Sequence, residues 1–260
     1  MTLTDVLETI SERIHRSACP IYEDDATRPL VGSSILFKVG PAHFLVTAKH
    51  VFDSRGSLYI WAKDELVGLE GELHFSEAFD FAFMRLKPEL VERLQDYRVV
   101  ESKDVEIDDD PEAGRLYAFV GLPETQNRVR DRKLKRTLVA FFVTPADPTA
   151  YEALKLSSIT HFVAVFERDK LKTPAVNGTM TGPLPQGMSG GPVWKYSPRV
   201  AGKRATVKVI GLGIAYYKAK RVLVAVRMHL VMVSILHFYP ELASELPLPR
   251  QIKIITSTKP

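Results

Sequence analysis

The sequence has almost no cysteine: Cys19 is the only one in 260 residues. An intramolecular disulfide is therefore excluded. The chain is long enough for one two-lobed unit that buries most of its apolar surface. Its composition, 45% hydrophobic and 25% charged, is that of an ordinary globular protein. It contains no internal repeat and no low-complexity segment.

The chain also lacks a long uninterrupted apolar run. The most apolar stretch, residues 222–239, is interrupted by one arginine and two histidines. This pattern predicts a strand that continues into a core-packed helix rather than a membrane span. Residues 1–10 carry two acidic side chains and no long apolar core, so we do not expect a signal peptide.

Metal and cofactor signals are missing as well. No cluster of His, Cys, Asp and Glu has zinc-binding spacing, and no glycine-rich loop could cradle a phosphate, so no metal and no cofactor are predicted. The net charge of +4 does not require a polyanionic partner. Residues 128–136 hold six basic residues against Asp131 and indicate either a docking loop for an acidic partner or a solvated hairpin. No aromatic side chain is interleaved with them, which disfavours nucleic acid.

Three short motifs carry chemistry: TAKH at residues 47–50, DFA at 80–82 and GMSGGP at 187–192. A serine hydroxyl rarely loses its proton near neutral pH, so a nucleophilic serine needs a base. That base needs an acid to orient it, and the oxyanion that forms needs hydrogen-bond donors. The sequence offers a candidate for each part, in the order His50, Asp80, Ser189.

With the strings GSSILF at residues 32–37 and FVGLP at 119–123, these motifs make the chain similar to trypsin-like (chymotrypsin-fold) serine peptidases, from about residue 31 to 238. The resemblance is to the bacterial and intracellular type. It implies an all-β fold of two packed antiparallel six-stranded β-barrels with the catalytic cleft between them. A C-terminal helix would pack on the second barrel, and the sequence adds an N-terminal helix of its own.

The resemblance implies a serine endopeptidase that hydrolyses a polypeptide substrate through an acyl-enzyme on Ser189. His50 would be the general base and Asp80 the acid that orients it. The oxyanion hole would consist of the backbone N–H groups of Gly187 and Ser189. The glycines around Ser189 allow a tight turn and a close approach of substrate to backbone.

Substrate-binding residues are also implied by the resemblance. Pro183, six residues before Ser189, would lie at the base of the first pocket, where it offers a basic side chain no carboxylate. Gly211, Gly213, Ile214 and Ala215 would form the pocket wall and the edge that pairs with substrate. Their bulk favours small or apolar substrate side chains over Lys and Arg.

One departure from the family concerns regulation. Met188 stands where secreted trypsins carry an Asp that pairs with a newly cut N-terminus, so we expect no activation by N-terminal insertion. Secreted members usually contain disulfides, and the single cysteine therefore favours a cytoplasmic location. We expect narrow specificity or an activating protein partner, and no membrane association. A binding module on a peptidase fold, without constitutive proteolysis, is the alternative function.

The predicted organisation follows from the same patterns. Val6, Ile10 and Ile14 recur at helical spacing and predict an N-terminal helix that serves as a cap or as a dock for a partner. Acidic residues within 101–112 predict a solvated linker between the barrels, and the six histidines other than His50 are predicted to be structural, with His43 and His74 in surface turns or strand ends. The predicted ranges are a helical extension 1–29, a peptidase domain 30–240 (first barrel about 30–100, second barrel about 115–226, C-terminal helix about 227–238) and a tail 241–260.

Overall fold

The computed structural model describes residues 10–11, 13–24, 29–53, 56–63, 65–107, 115–127, 129–130, 133–134, 137–173, 176–198 and 205–246. Of residues 129–130, 133–134, 172–173 and 176–179 it describes the backbone only. The predicted tail from residue 247 onward and the side chains of the basic run 128–136 lie outside the described residues.

The first lobe is built from eight strands in one branched sheet. Neighbouring strands pair in the order β5-β4-β1-β2-β3-β7-β6, and β8 pairs with β2 in parallel. Among the described residues the two ends of this path do not pair, so the predicted closed six-stranded first barrel is not found. The strands are β1 (Cys19–Glu23), β2 (Leu30–Val39), β3 (Ala42–Ala48), β4 (Leu58–Ala62), β5 (Glu65–Gly68), β6 (Leu73–Ser76), β7 (Phe81–Arg85) and β8 (Val99–Glu101).

The branching has a simple cause in the length of β2. The first half of this ten-residue strand pairs with β1, from Leu30 to Ser34, and its second half pairs with β3, from Ile35 to Val39. Strand β2 therefore has different partners along its two halves. The sheet also begins at β1, inside the range 1–29 that was predicted as a helical extension.

The second lobe is a closed six-stranded antiparallel barrel, as predicted. Its strands follow the order β12-β13-β18-β17-β16-β9 around the barrel. Two hairpins, β10 (Val129–Arg130) with β11 (Lys133–Leu134) and β14 (Leu171–Thr173) with β15 (Val176–Met180), stand apart from it. The barrel strands are β9 (Leu116–Gly121), β12 (Val139–Pro145), β13 (His161–Val165), β16 (Pro192–Ser197), β17 (Thr206–Tyr217) and β18 (Val222–Arg227).

Three α-helices follow β1 among the described residues: α1 (Pro88–Arg93), α2 (Pro148–Leu154) and α3 (Met228–Phe238). The last is the predicted C-terminal helix. Its buried side chains recur at positions i, i+3, i+4 and i+7, namely Met228, Val231, Met232 and Ile235. In the part of the chain that the structure describes, no helix has the length and apolar character needed to cross a bilayer.

The two lobes share one apolar core. A single cluster of buried side chains includes Ile35 and Phe44 from the first lobe and Trp194 and Val209 from the second. Helix α3 returns to the first lobe, where Phe238 stacks on His74 at 3.9 Å between ring centroids. His74 is therefore buried near the start of β6, which agrees with the predicted strand end and not with the predicted surface turn. Shared burial of this kind resists relative movement of the lobes.

The N-terminal segment also joins both lobes. Ile10 and Ile14, in its helical part, are buried in the shared core. The Trp194 indole N–H donates to the Ser17 hydroxyl at 3.3 Å, and the Arg98 N–H donates to the Arg16 carbonyl at 2.9 Å. The described part of the predicted apolar face, Ile10 and Ile14, therefore packs inside the molecule, which favours a cap over a dock for a partner.

The acidic segment between the lobes is packed rather than solvated, at least as far as residue 107. Val105 forms a parallel bridge with Val209, and the Glu106 N–H donates to the Val209 carbonyl at 2.9 Å. The Glu106 carboxylate lies 2.8 Å from the ammonium of Lys195, whose side chain is only 3% exposed. Residues 108–114 lie outside the described residues.

One buried histidine makes stability depend on pH. His161 lies at the start of β13. Its Nδ1 is hydrogen-bonded to the Thr160 hydroxyl at 2.8 Å. Burial lowers the pKa of His161, and the positive charge of Arg227 lowers it further. Its neutral form therefore fits the folded state, whereas the unfolded chain takes up a proton near pH 6.5.

We accordingly expect the free energy of unfolding to fall as pH drops below about 6.5, by at most about 1.4 kcal/mol per pH unit from this group. His161→Asn, which keeps a polar atom near the Nδ1 position, should flatten this slope between about pH 5 and 7. The measurement is urea unfolding across that range, with His15→Asn as the control on an exposed histidine. An unchanged slope in His161→Asn would refute the assignment.

Candidate active site

Strand register brings His50 and Asp80 together. Strands β3 and β7 are antiparallel neighbours, with Ala48 opposite Phe81. His50 comes two residues after Ala48, in a 3₁₀ turn, and Asp80 comes one residue before Phe81. Because antiparallel partners run in opposite directions, the end of β3 and the start of β7 meet at the same edge of the sheet.

The Asp80 carboxylate holds His50 at two points. Its Oδ2 lies 2.7 Å from the imidazole Nδ1, and its Oδ1 accepts the His50 backbone N–H at 3.0 Å. The Asp80 carbonyl also accepts the Lys49 N–H at 3.2 Å. Asp80 has φ of +51°, a left-handed conformation that Asp tolerates better than most residues. An imidazole held in this way presents its Nε2 away from the carboxylate.

Lys49 joins the turn that carries His50 to the turn that carries Asp80. Its ammonium lies 2.7 Å from Asp53 and 3.0 Å from Glu77. The hydrogen bond to Asp53, and after it the one to Glu77, raises the pKa of Lys49. The side chain stays charged at neutral pH and supports the local arrangement from the surface.

Ser189 lies in a tight loop of the second lobe, directly before β16. The Met188 N–H donates to the Pro185 carbonyl at 2.9 Å, and the Gly191 N–H donates to the Met188 carbonyl at 3.0 Å. Glycines occupy the two positions with left-handed backbone, Gly187 at φ +87° and Gly190 at φ +89°. These values explain why the motif needs glycine on both sides of the serine.

Two backbone donors in this loop point to no partner. Among the described residues, neither the Gly187 N–H nor the Ser189 N–H donates a hydrogen bond. Each of these N–H groups shares its peptide group with the carbonyl of the preceding residue, Gln186 or Met188. Both carbonyls accept hydrogen bonds: the Gln186 carbonyl accepts the Glu124 N–H at 2.9 Å, and the Met188 carbonyl accepts the Gly191 N–H. Among the described residues, both predicted oxyanion donors are thus left without a hydrogen-bond acceptor.

His50 and Ser189 line the same cavity of about 330 Å³. Their side chains do not form a hydrogen bond with each other in this structure. Side-chain exposures of 44% for His50 and 32% for Asp80 show that neither side chain is fully buried. Ligand-free active sites often have such loose alignment, which tightens when substrate binds. The structure therefore places His50 and Ser189 on one cavity, with Asp80 hydrogen-bonded to His50.

The cavity wall agrees only in part with the predicted substrate pocket. Gly213, Ile214 and Ala215 line it, whereas Pro183 and Gly211 do not. Gly211 lies inside the barrel wall, opposite Val193 on one side and Arg227 on the other. The remaining wall is mainly apolar and includes Tyr216, which adjoins the predicted wall residues. It also includes side chains that sequence inspection missed: Phe119, Phe141, Met188, Leu223 and Val224.

Alternation along the strands was the available signal for these missed residues. Phe119 and Phe141 occupy the interior face of β9 and β12, where they pair directly across the sheet. Closure of the barrel decides which face is interior, and the sequence alone does not reveal it. Apart from His50, no acidic or basic side chain belongs to the described lining of the cavity.

Met188 is packed inward and makes the loop part of the barrel core. It is 6% exposed and belongs to the same apolar cluster as Phe119 and Phe141. A Cβ on Gly121 would lie 2.8 Å from its Cβ, so this glycine leaves room for it. A thioether in this place has no charge with which to pair a buried ammonium.

No protein-family model matches the chain, and no curated protein sequence matches it. Among solved structures, the chain is similar to the serine endoprotease from Yersinia pestis, with a TM-score of 0.51 and 13% sequence identity. The likeness covers 92% of this chain and 66% of the Yersinia protein, slightly less than two thirds of its length. The chain has a serine endoprotease fold. At this identity the endoprotease fold is what the comparison establishes, and it agrees with the closed six-stranded barrel.

Proposed function

We propose that this protein is a serine endopeptidase in which His50, Asp80 and Ser189 form the catalytic triad. The observation that supports it most directly is the two-point hold of Asp80 on His50, beside a cleft that Ser189 also lines. A merely structural His–Asp pair would not need to stand beside a cavity that Ser189 also lines, next to a loop with two unpaired amides.

In the proposed reaction the Ser189 Oγ attacks the scissile carbonyl carbon while its proton passes to His50 Nε2. The carbonyl oxygen becomes an oxyanion, which accepts hydrogen bonds from the Gly187 and Ser189 N–H groups. Asp80 keeps the proton of His50 on Nδ1 and stabilises the imidazolium. The C–N bond then breaks, and the imidazolium returns its proton to the leaving amine.

The second half of the reaction releases the acyl group. His50 removes a proton from water, and the hydroxide adds to the ester carbon. The Ser189 Oγ leaves and regains the proton from the imidazolium, so the enzyme returns to its starting state. The apolar wall of the cavity favours an apolar substrate side chain next to the cleaved bond. Cytoplasmic location and control by a partner stay predictions from the sequence.

A binding module on the same fold is the second candidate. The missing hydrogen bond between the Ser189 hydroxyl and His50 favours it, because an unactivated serine would leave an apolar groove that only holds a peptide. The two functions differ in one respect: only the peptidase needs the Ser189 oxygen to become a nucleophile.

A fluorophosphonate reagent separates these two functions. We expect it to label the wild-type protein on Ser189, found by mass spectrometry of the labelled peptide, and to leave Ser189→Ala unlabelled. His50→Ala should be labelled at least about 10²-fold more slowly, because the general base is gone. Circular dichroism melting confirms that each variant is folded. A folded wild type that is neither labelled nor able to cleave a peptide library would favour the binding module.

A further inference from the structure

We propose that Ser33 is a positioning residue for the oxyanion hole, an inference that rests on the proposed peptidase function. Ser33 belongs to β2 of the first lobe and is completely buried. Its hydroxyl donates to the Gly187 carbonyl at 2.9 Å and accepts the Leu122 N–H at 3.0 Å. One side chain of the first lobe therefore holds two backbone segments of the second.

The position of the Gly187 carbonyl matters because of the order of peptide groups in the loop. Three consecutive peptide planes run from Gln186 to Ser189. The outer two carry the N–H groups of Gly187 and Ser189, which are the proposed oxyanion donors. The central plane carries the Gly187 carbonyl and the Met188 N–H. Because peptide groups are planar, the orientation of the central plane limits how both outer planes can turn.

Both ends of that central plane are held. The Met188 N–H donates to the Pro185 carbonyl at 2.9 Å, and the Ser33 hydroxyl supplies the bond at the carbonyl end. Gly187 itself has no side chain and a φ of +87°, so it offers little resistance to rotation. Without the Ser33 hydroxyl, the central plane would lose its hold at the carbonyl end.

The backbone of Ser33 adds a second hold on the same loop. Its N–H donates at 2.7 Å to the backbone carbonyl of Ser189, the residue that carries the proposed nucleophile. Its carbonyl accepts the Thr47 hydroxyl at 2.6 Å, and Thr47 lies in β3, which leads to His50. Ser33 thus connects the strand that carries the base with the loop that carries the nucleophile.

Met188 shows why such a device is needed here. A buried ion pair cannot hold this loop, because the thioether of Met188 packs among apolar side chains. Instead, hydrogen bonds from Ser33 and packing of Met188 on Gly121 hold the loop in place. None of these contacts involves a newly cut N-terminus. We therefore expect the oxyanion donors to be oriented without cleavage of the chain.

The test is the kinetics of Ser33→Ala on a peptide substrate that the wild type cleaves. We expect kcat to fall about 10- to 100-fold with KM changed less than about threefold, because a misaligned donor weakens binding of the transition state more than of the substrate. Affinity for a peptide boronate, which mimics the tetrahedral intermediate, should fall by a similar factor. The pH profile should keep its apparent pKa, because His50 and Asp80 are untouched.

Ser34→Ala is the matched control. Ser34 is the next residue of β2, equally buried, and its hydroxyl donates to the Cys19 carbonyl at 3.1 Å, away from the loop. This variant loses one buried hydrogen bond, whereas Ser33→Ala loses two. Ser34→Ala should therefore lose less thermal stability, and its kcat should stay within about threefold of wild type. Ser33→Thr, which keeps the hydroxyl, should restore most of the kcat that Ser33→Ala loses.

Three outcomes overturn the proposal or its foundation. Equal kcat in Ser33→Ala and Ser34→Ala, with the wild type active, would give Ser33 a structural role only. If Ser33→Ala does not fold, Ser33→Cys decides instead: its thiol is a weaker hydrogen-bonding group of similar size, so wild-type kcat in that variant would overturn the proposal. A wild type without labelling or cleavage would refute the peptidase function itself.

Discussion

Asp80→Asn should lower kcat/KM about 10⁴-fold while the protein stays folded, a magnitude established for the chymotrypsin template. An asparagine oxygen can still accept the His50 backbone N–H, which Asp80 Oδ1 accepts at 3.0 Å. Its NH₂ group would then face the imidazole Nδ1, now 2.7 Å from Oδ2. A donor in that place favours the tautomer with its proton on Nε2, and that tautomer cannot take the Ser189 proton.

The matched control for this charge loss is Glu77→Gln. Glu77 belongs to the same turn, where it pairs with Lys49 on the surface, and its side chain is 69% exposed. Steady-state kinetics should give this variant a kcat/KM within about threefold of wild type, because exposed ion pairs contribute little. If Asp80→Asn also kept kcat/KM within tenfold of wild type, Asp80 would not be the orienting acid.

Gly190→Ala should lower the free energy of unfolding by at least about 3 kcal/mol, the largest stability effect we expect from a single methyl group. A Cβ at this position would lie 2.0 Å from the Ser33 carbonyl oxygen and 2.1 Å from the Thr47 hydroxyl oxygen. The φ of +89° is strained for alanine even where space exists. Relief would require movement of β2 or β3, and these strands hold the lobes together.

Gly68→Ala separates this effect from glycine replacement in general. A Cβ on Gly68 would meet only the Tyr59 ring, at 3.8 Å, which is ordinary contact. Alanine in this strand position should leave stability unchanged or raise it by up to about 1 kcal/mol. Urea unfolding of both variants makes the comparison. Equal midpoints for Gly190→Ala and Gly68→Ala would contradict the packing that the structure shows around Gly190.

Local patterns predicted the parts of this fold that depend on neighbours in sequence. The alternation in β7 and the apolar run in β3 are enough to indicate strands, and the spacing of Met228, Val231, Met232 and Ile235 indicates one buried helix face. These patterns work because the period of side chains along a strand or helix is set by the backbone itself.

Sequence patterns did not predict where a strand changes its partners, or which face of a strand lines the cavity. Strand β2 pairs with β1 along its first half and with β3 along its second, and nothing in its ten residues marks the change of partner. Pro183 was expected at the base of the substrate pocket but does not line the cavity, whereas Phe141 does. Both outcomes depend on contacts between residues that are distant in sequence.

The sequence by itself determined which chemical groups this protein has: one candidate nucleophile in a glycine-rich turn, one candidate base after a strand and one candidate acid before another. The tertiary structure alone decided that Asp80 contacts His50 at two atoms, that Ser189 lines the same cavity as His50, and that the Ser33 hydroxyl of the first lobe bonds the Gly187 carbonyl of the second. The reason is that the type of a residue limits which bonds it can form, whereas strand register and packing between lobes set which partner comes within reach.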